Sequence, residues 1–190
     1  MPSAFEVLAK DHQEVKDMLA ELEKGPTAAS GATADQLGLR KKMVQQLVIE
    51  ESKHEAVEEM YFWPAVRESL TDGDDLANQA QQQEQEGKEV LDKLGKAAAE
   101  DDDFESLLAQ FIGDGRAHIA FEETRVWPRM REVLSSKQAD EIGRKLEQGK
   151  KTAPTRPHPS TPASPGVLKT AGPAVAAADR IRDAATGRNE

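Results

Sequence analysis

The sequence carries one helical pattern twice, and this duplication limits the folds that the chain can adopt. Residues 49–70 and residues 113–134 match at a constant offset of 64. The matching pairs are His54 with His118, Glu58 with Glu122, Trp63-Pro64 with Trp127-Pro128, Arg67 with Arg131 and Leu70 with Leu134. Two helix pairs with imidazole and carboxylate groups on one face are how a four-helix bundle builds a metal site in its core.

A second repeat precedes each of these segments, at an offset of 72. Residues 11–22 match residues 83–94, and the matching pairs are Glu14 with Glu86, Lys16 with Lys88, Leu19 with Leu91 and Leu22 with Leu94. His12 falls on Glu84, so a carboxylate replaces an imidazole in the second copy.

Composition narrows the class of protein. The 190 residues suffice for one domain with a sizeable core, and the absence of cysteine excludes disulfides, thiolate metal sites and a catalytic thiol. Residues 150–190 contain seven Lys/Arg and three Asp/Glu, which leaves a net charge of −14 on residues 1–149. This negative charge on residues 1–149 repels phosphate backbones and attracts cations, so we expect no nucleic-acid partner. The same charge is also typical of ordinary helix surface, so it does not by itself indicate a metal.

The sequence predicts a cytoplasmic protein without a membrane partner. No apolar run approaches the roughly 20 residues that cross a bilayer. The first ten residues, MPSAFEVLAK, lack the basic and apolar regions of a signal peptide.

Helical periodicity predicts four long helices and a short fifth one. They cover about residues 3–24, 35–62, 74–99, 104–126 and 136–148. Ser3 with Glu6, and Ser135 with Gln138, have the spacing of capping boxes at the first and last of these helices. The core face of the second helix is predicted to include Leu39, Met43, Leu47 and Val57. Each Trp-Pro step is expected to break or kink its helix, because proline lacks the amide hydrogen.

The short loops predict an all-α fold, an up-down-up-down four-helix bundle spanning residues 1–149 with the short fifth helix. The Pro/Ala-rich basic tail, residues 150–190, has too few large apolar residues to bury a core and is expected to be disordered. Only residues 174–185 have the composition of a weak helix.

The predicted topology brings four repeat positions to one level of the bundle. At about 1.5 Å per residue, His12 and Glu84 lie roughly 13 and 15 Å from the starts of their helices. His54 and His118 each lie roughly 12 Å from the ends of theirs. Because neighbouring helices run in opposite directions, all four residues are expected in one layer.

The chemistry of that layer predicts a dinuclear metal site. In each His-x-x-x-Glu pair the two side chains lie on the same helix face, one turn apart. Together with His12 and Glu84 they offer three imidazoles and three carboxylates, which suits iron or manganese and leaves positions for a small ligand. Copper(I) or structural zinc fits less well without sulfur. The alternative, a metal-free bundle, would bury these groups at high cost.

The order of these residues, the Asp11-His12 opening and the two Trp-Pro steps resemble the hemerythrin-like (HHE cation-binding) proteins over residues 3–134. The resemblance implies a four-helix bundle around two non-haem irons with oxo or hydroxo and carboxylate bridges. It further implies that His12, His54 and Glu58 serve one iron, that His118 serves the other, and that Glu58 and Glu122 bridge them.

The third helix departs from the family pattern. The family has a histidine where this chain has Glu84, and oxygen-carrying hemerythrins have another where Lys88 stands. Two interpretations remain: Glu84 ligates directly, or the second metal binds weakly and the protein is mononuclear in practice. Glu55 is a further candidate ligand of the second metal. Gly87, which falls on Val15, either opens a channel for a small ligand or only lowers helix propensity.

These ligands favour redox turnover of O2, peroxide or NO over reversible O2 carriage, because anionic oxygen ligands stabilise Fe(III). Catalase- or peroxidase-like peroxide decomposition is the reaction expected. The alternative is an iron- or gas-responsive sensor, or an iron-binding module without turnover, whose tail contacts a protein partner.

Overall fold

Eight α-helices account for most of the chain in the computed structural model, which describes residues 2–160 and 165–187. They are α1 (Ala4–Glu23), α2 (Ala34–Val57), α3 (Trp63–Ser69), α4 (Gly73–Lys96), α5 (Phe104–Phe121), α6 (Trp127–Val133), α7 (Ser136–Lys150) and α8 (Pro165–Thr186). Two π-helical segments, Glu58–Phe62 and Glu122–Val126, join α2 to α3 and α5 to α6. The described residues contain no β-strand, and the predicted all-α class is confirmed.

The helix starts follow the capping residues that the sequence contains. Ser3 accepts a hydrogen bond from the Glu6 amide, and the Glu6 carboxylate accepts one from the Ser3 amide, which confirms the predicted capping box of α1. Ser135 and Gln138 form the same reciprocal pair at α7. A third capping box, which the sequence analysis did not identify, begins α2 at Thr33.

Two apolar clusters fill the bundle, and their order along each helix gives the topology. One cluster includes Leu8, Trp63 and Met130, and the other includes Leu19, Leu47 and Phe104. Helices α1 and α4 run from the first cluster to the second, whereas α2 and α5 run from the second to the first. The four bundle helices therefore alternate in direction, as predicted.

The Trp-Pro steps do not break the helices, so the first of the two predicted outcomes, a break, is wrong. The Trp63 amide donates to the Glu58 carbonyl and the Trp127 amide to the Glu122 carbonyl, five residues back in each case. The wider π turn changes the backbone pairing just before each proline, and each proline then lies in the first turn of the next helix, where no amide hydrogen is needed. The second and fourth bundle helices thus continue into α3 and α6.

The predicted core face of α2 is partly wrong. Leu39 is 62% exposed, whereas Leu37, Val44, Leu47 and Val48 are buried. Helix α2 has buried residues on more than one side, because α1, α4 and α7 all pack against it. Its buried residues therefore do not form the single narrow apolar stripe that is typical of a surface helix.

The fifth helix packs closely on the bundle. A Cβ atom on Gly143 would lie 2.4 Å from the Pro2 carbonyl oxygen, and one on Gly149 would lie 2.8 Å from the Tyr61 ring. Glycine therefore permits α7 to approach the start of α1 and the π segment after α2. Lys150, at the end of α7, forms an ion pair with buried Asp11.

Part of the tail that was predicted to be disordered is described, and Pro165–Thr186 form helix α8. Helix α8 contacts the π segment Glu58–Phe62. It is held by two buried carboxylates: Asp183 pairs with Arg156 at 2.7 Å, and Asp179 with His158 at 2.9 Å. Polar contacts replace the large apolar core that the composition lacks. Residues 161–164 and 188–190 of the predicted disordered tail lie outside the described residues.

None of the described helices combines the length and apolar character that a membrane span requires.

Candidate metal centre

Six predicted ligand residues converge between the two apolar clusters. Each of two groups places one potential ligand atom per residue within 4.8 Å of the others. The first group consists of His12, His54, Glu58 and Glu122, and the second of Glu58, Glu84, His118 and Glu122. Glu58 and Glu122 belong to both groups and are fully buried. The predicted common layer of side chains from α1, α2, α4 and α5 is therefore present.

The Nε2 atoms of the imidazoles lie beside the shared carboxylates. His54 Nε2 lies 3.3 Å from Glu58 Oε2. Glu122 has its Oε2 3.1 Å from His12 Nε2 and its Oε1 3.2 Å from His118 Nε2. The two oxygens of Glu122 thus point to different groups, which is the disposition that a bridging carboxylate requires.

The opposite nitrogen of each imidazole contacts a side chain outside these groups. The Nδ1 distances are 3.1 Å from His12 to Glu123, 3.4 Å from His54 to Asp11 and 3.0 Å from His118 to Gln83. Such contacts orient an imidazole and set its tautomer, so that Nε2 is available to a metal. Asp11 and Gln83 were missed as orienting residues, although they match at the offset of 72.

The two Trp-Pro steps place an indole ring beside the centre from each repeat. Trp127 stacks on His12, with ring centroids 4.8 Å apart and an interplanar angle of 16°. Trp63 Nε1 donates a hydrogen bond to Glu84 Oε1. Glu84 Oε2 is left for the centre, because it has no hydrogen-bond partner.

Unsatisfied polar atoms test whether these residues fit a metal. The inward atoms that are buried without a hydrogen-bond partner are Nε2 of His12, His54 and His118, both carboxylate oxygens of Glu58 and Glu122, and Oε2 of Glu84. Leaving a polar atom buried without a hydrogen bond is unfavourable by about 1–3 kcal/mol. A bound cation satisfies all of them at once, so the donor set fits a metal.

Electrostatics within the centre is dominated by burial and by the crowded carboxylates. Burial, and then repulsion from Glu122, raise the pKa of Glu58 well above its usual range. Burial and the charge of Glu59 do the same to the pKa of Glu84. Burial lowers the pKa of His118, but Glu122 outweighs it and raises that pKa to about 9. Without a metal, protons therefore compensate part of the negative charge.

Glu55 lies outside both four-residue groups. Its side chain is buried, and burial raises its pKa well above the usual range. The Lys88 ammonium lies 4.0 Å from Glu55 Oε2 and forms a closer ion pair with Glu59. Glu55 thus lies next to the centre without joining the residues that surround it.

A small cavity adjoins the centre on the side of α4 and α5. It has room for about one water molecule, with a free volume of about 20 Å³. Its walls include His54, His118 and Glu84 from the centre and the two acidic residues Glu51 and Glu55. Glu51 is buried, was not considered in the sequence analysis, and has its pKa raised by burial.

A helical bundle with a buried layer of imidazoles and carboxylates belongs to the class of helical cation-binding proteins. The sequence model of the hemerythrin HHE cation-binding domain matches residues 3–130. The chain therefore belongs to the hemerythrin HHE cation-binding domain family.

Individual relatives agree with this assignment. An uncharacterised hemerythrin-like protein of Schizosaccharomyces pombe is 30% identical over 139 residues, which cover 73% of this chain and 68% of that protein. The crystal structure of a hemerythrin HHE cation-binding domain-containing protein from Mycobacterium kansasii has a TM-score of 0.65 at 21% identity. The match covers 94% of this chain and 99% of that one and supports the fold.

Proposed function

We propose that the chain binds two non-haem iron ions and decomposes peroxide. His12 and His54 would hold one ion, and His118 and Glu84 the other, with Glu58 and Glu122 shared. The proposal depends on one observation. The two groups share two carboxylates, and their inward polar atoms are buried without hydrogen-bond partners. Manganese is the alternative metal for such oxygen and nitrogen ligands.

A pair of iron ions, when bound, supplies two-electron redox chemistry with small oxygen or nitrogen ligands. The protein residues would hold the ions in place, orient the imidazoles through Asp11, Gln83 and Glu123, and exclude bulk water. Three carboxylates against three imidazoles favour the ferric state, because anionic oxygen stabilises the higher charge. This supports peroxide turnover, or reaction with O2 or NO, over reversible oxygen carriage.

Iron content and oxygen evolution together test this function. Protein from iron-replete cells should contain close to two irons per chain and release O2 from hydrogen peroxide faster than the same concentration of free iron. Two bound irons without turnover would contradict peroxide decomposition but leave metal binding intact.

Direct ligation by Glu84 is part of the proposal, since Oε2 of Glu84 is buried and lies in the second group. Glu84→His should change the optical spectrum of the iron-loaded protein, and the exposed neighbour variant Glu86→His should not. An unchanged spectrum and metal count in Glu84→His would place Glu84 outside the ligands.

A sensor without turnover is the second candidate. It is supported by the contact between α8 and the π segment that begins at Glu58, because a change at that carboxylate would reach the tail directly. Metal loading should then alter the protease sensitivity of the tail. Protein truncated after Lys150, which keeps the ion pair of Lys150 with Asp11, should retain its metal and lose any metal-dependent partner binding.

A further inference from the structure

The cavity beside the centre extends towards solvent at one end. Asp114 is exposed, and Gln83 and Gly115 are partly exposed, whereas Glu51 and Glu55 are buried deeper among its walls. The more exposed residues therefore form a mouth between α4 and α5, and the two buried acids lie at the inner end of the cavity. His118, which is 12% exposed, lines the same cavity.

The inner acids have few partners, because the Lys88 ammonium, which lies 4.0 Å from Glu55 Oε2, pairs more closely with Glu59. Glu55 is 4% exposed, and its Oε2 atom has no hydrogen-bond partner. Glu51 is 7% exposed, and within residues 2–160 and 165–187 no hydrogen bond or ion pair to its side chain is found. Burying a carboxyl group without a partner is unfavourable. Neither residue belongs to the groups around the metals, so the centre does not explain them.

We infer that this cavity is the route by which a divalent cation reaches the metal centre, with Asp114 at the mouth and Glu51 and Glu55 as successive carboxylate ligands on the way in. The inference rests on the proposed metal binding and adds to it the path of loading. Glu51 and Asp114 would be contacted during passage only, and Glu51 would not belong to the final ligand set.

The charge of the cavity fits a cation rather than an anion. Its walls include the acids Glu51, Glu55, Glu84 and Asp114 and the three imidazoles of the centre, which a metal binds in their neutral form, and neither lysine nor arginine lines it. Its other walls include Val15, Phe111 and Ile119, whose low dielectric strengthens the field of the carboxylates. With room for about one water molecule, the cavity admits an ion that has lost most of its water shell. Carboxylate oxygens would replace the lost water ligands.

The cavity is a place where the two repeats differ. At the offset of 64, Glu51 falls on Gly115 and Glu55 on Ile119, and at the offset of 72, Val15 falls on Gly87. A Cβ atom added to Gly87 would lie 3.7 Å from Glu55 Oε1, and one added to Gly115 would lie 3.7 Å from the Phe111 ring. The glycines of the second repeat therefore supply the space, and the first repeat supplies the two inner acids.

The rate of metal loading tests the route. Metal-free, full-length protein would be mixed with Co(II), whose visible absorbance reports binding, and the Co(II) content at completion would be counted. Glu51→Gln removes the charge and preserves the shape, and should lower the bimolecular loading rate at least about fivefold while the final content is unchanged. Asp114→Asn should have a smaller effect, because its carboxylate is exposed and screened by salt.

The matched control is Glu50→Gln, which changes the same charge one residue away. Glu50 contacts Gln46 and Lys53 and does not line the cavity, so its variant should load at the wild-type rate. A wild-type loading rate in Glu51→Gln would overturn the route and leave the metal centre intact. A lower final content in Glu51→Gln would also overturn it, because Glu51 would then be a resident ligand. Failure of the wild-type protein to bind Co(II) would overturn the metal centre itself.

A steric test is independent of charge. Gly115→Leu adds a side chain at the mouth and should slow loading, whereas Gly113→Leu, on the same helix and with no atom within 4 Å of an added Cβ, should not. Equal loading rates in the two variants, with thermal unfolding confirming that both are folded, would contradict a mouth at this position.

Discussion

The two repeats surround the metal centre with equivalent residues, but only the first supplies a histidine from its leading helix. Lys16 pairs with Glu123 on one side, and Lys88 pairs with Glu59 on the other, at positions that match at the offsets of 72 and 64. In the first repeat His12 completes this arrangement, because its Nδ1 contacts Glu123. The second repeat keeps the lysine–glutamate pair without an imidazole to orient.

The presence of Glu84 at the position that matches His12 changes the surroundings as well as the candidate ligand. Trp127 stacks on His12 and its Nε1 atom has no hydrogen-bond partner, whereas Trp63 donates its indole hydrogen to Glu84. The side chain of Lys88 is 10% exposed and that of Lys16 is 38% exposed. A duplicated scaffold can therefore hold two unequal groups, one with two imidazoles and one with a single imidazole.

The largest loss of bound metal is expected when a carboxylate that both groups share is replaced. Glu122→Gln weakens both groups, because one oxygen of Glu122 faces each of them, and should abolish stoichiometric metal binding. Glu84→Gln should remove only the metal of the second group. Metal analysis after loading with excess Fe(II) without oxygen measures both variants, with exposed Glu132→Gln as the control. Equal losses in Glu122→Gln and Glu84→Gln would contradict two groups with shared ligands.

The lysine pairs should differ in their contribution to stability. Lys88→Met leaves Glu59 buried without its partner and should lower the free energy of unfolding of the metal-free protein by about 3–5 kcal/mol. Lys16→Met removes a more exposed pair and should cost at most about 1 kcal/mol. Urea denaturation measures the free energy of unfolding of each variant. Similar losses in the two variants would show that the contribution of these ion pairs does not depend on their burial.

Metal loading should release protons. The pKa of His118 is about 9 in the metal-free protein, so this imidazole holds a proton at pH 7 that a metal must displace. Metal affinity should therefore increase as the pH rises from 7 towards 9. Calorimetric titration in two buffers with different protonation enthalpies counts the protons, and His118→Ala should release fewer. Proton release that is zero in the wild-type protein would contradict the raised pKa.

The smallest effect should come from making the second repeat more like the first at Gly87, which matches Val15. An added Cβ would lie 3.7 Å from Glu55 Oε1 and 3.8 Å from Phe111, which are ordinary contacts. Gly87→Ala should therefore stabilise the protein by up to about 1 kcal/mol through helix propensity. Gly38→Ala, with no atom within 4 Å, gives the propensity gain alone. Destabilisation by Gly87→Ala only would show that Glu55 requires the open space.

The common layer of ligands could be predicted from the sequence, because helix rise and antiparallel direction fix the level of each residue without knowledge of side-chain packing. The pairs His54 with Glu58 and His118 with Glu122 fix the helix faces for the same reason. Glu84 was identified by its match to His12 and by its depth along the third helix. Its placement in the second group follows from α4 running in the same direction as α1.

Other features depend on contacts that a periodic pattern does not contain. The contacts of Asp11 with His54 and of Gln83 with His118 join different helices and depend on their relative rotation. The exposure of Leu39 depends on which helices surround α2. The low apolar content of the tail gave no sign of the polar pairs that Asp179 and Asp183 form.

The π segments have a consequence for the tolerance of this chain to changes in length. Each holds one residue more per turn than an α-helix would, and the excess lies between a shared carboxylate and a tryptophan. Deleting a single residue there would remove the excess and restore α-helical pairing, so the residues beyond it would keep nearly the same direction around the helix axis. Deleting one residue in the regular part of α2 or α5 would instead rotate everything beyond it by about 100°. A one-codon deletion should therefore displace the indoles of Trp63 and Trp127 less when it falls within a π segment than when it falls before one.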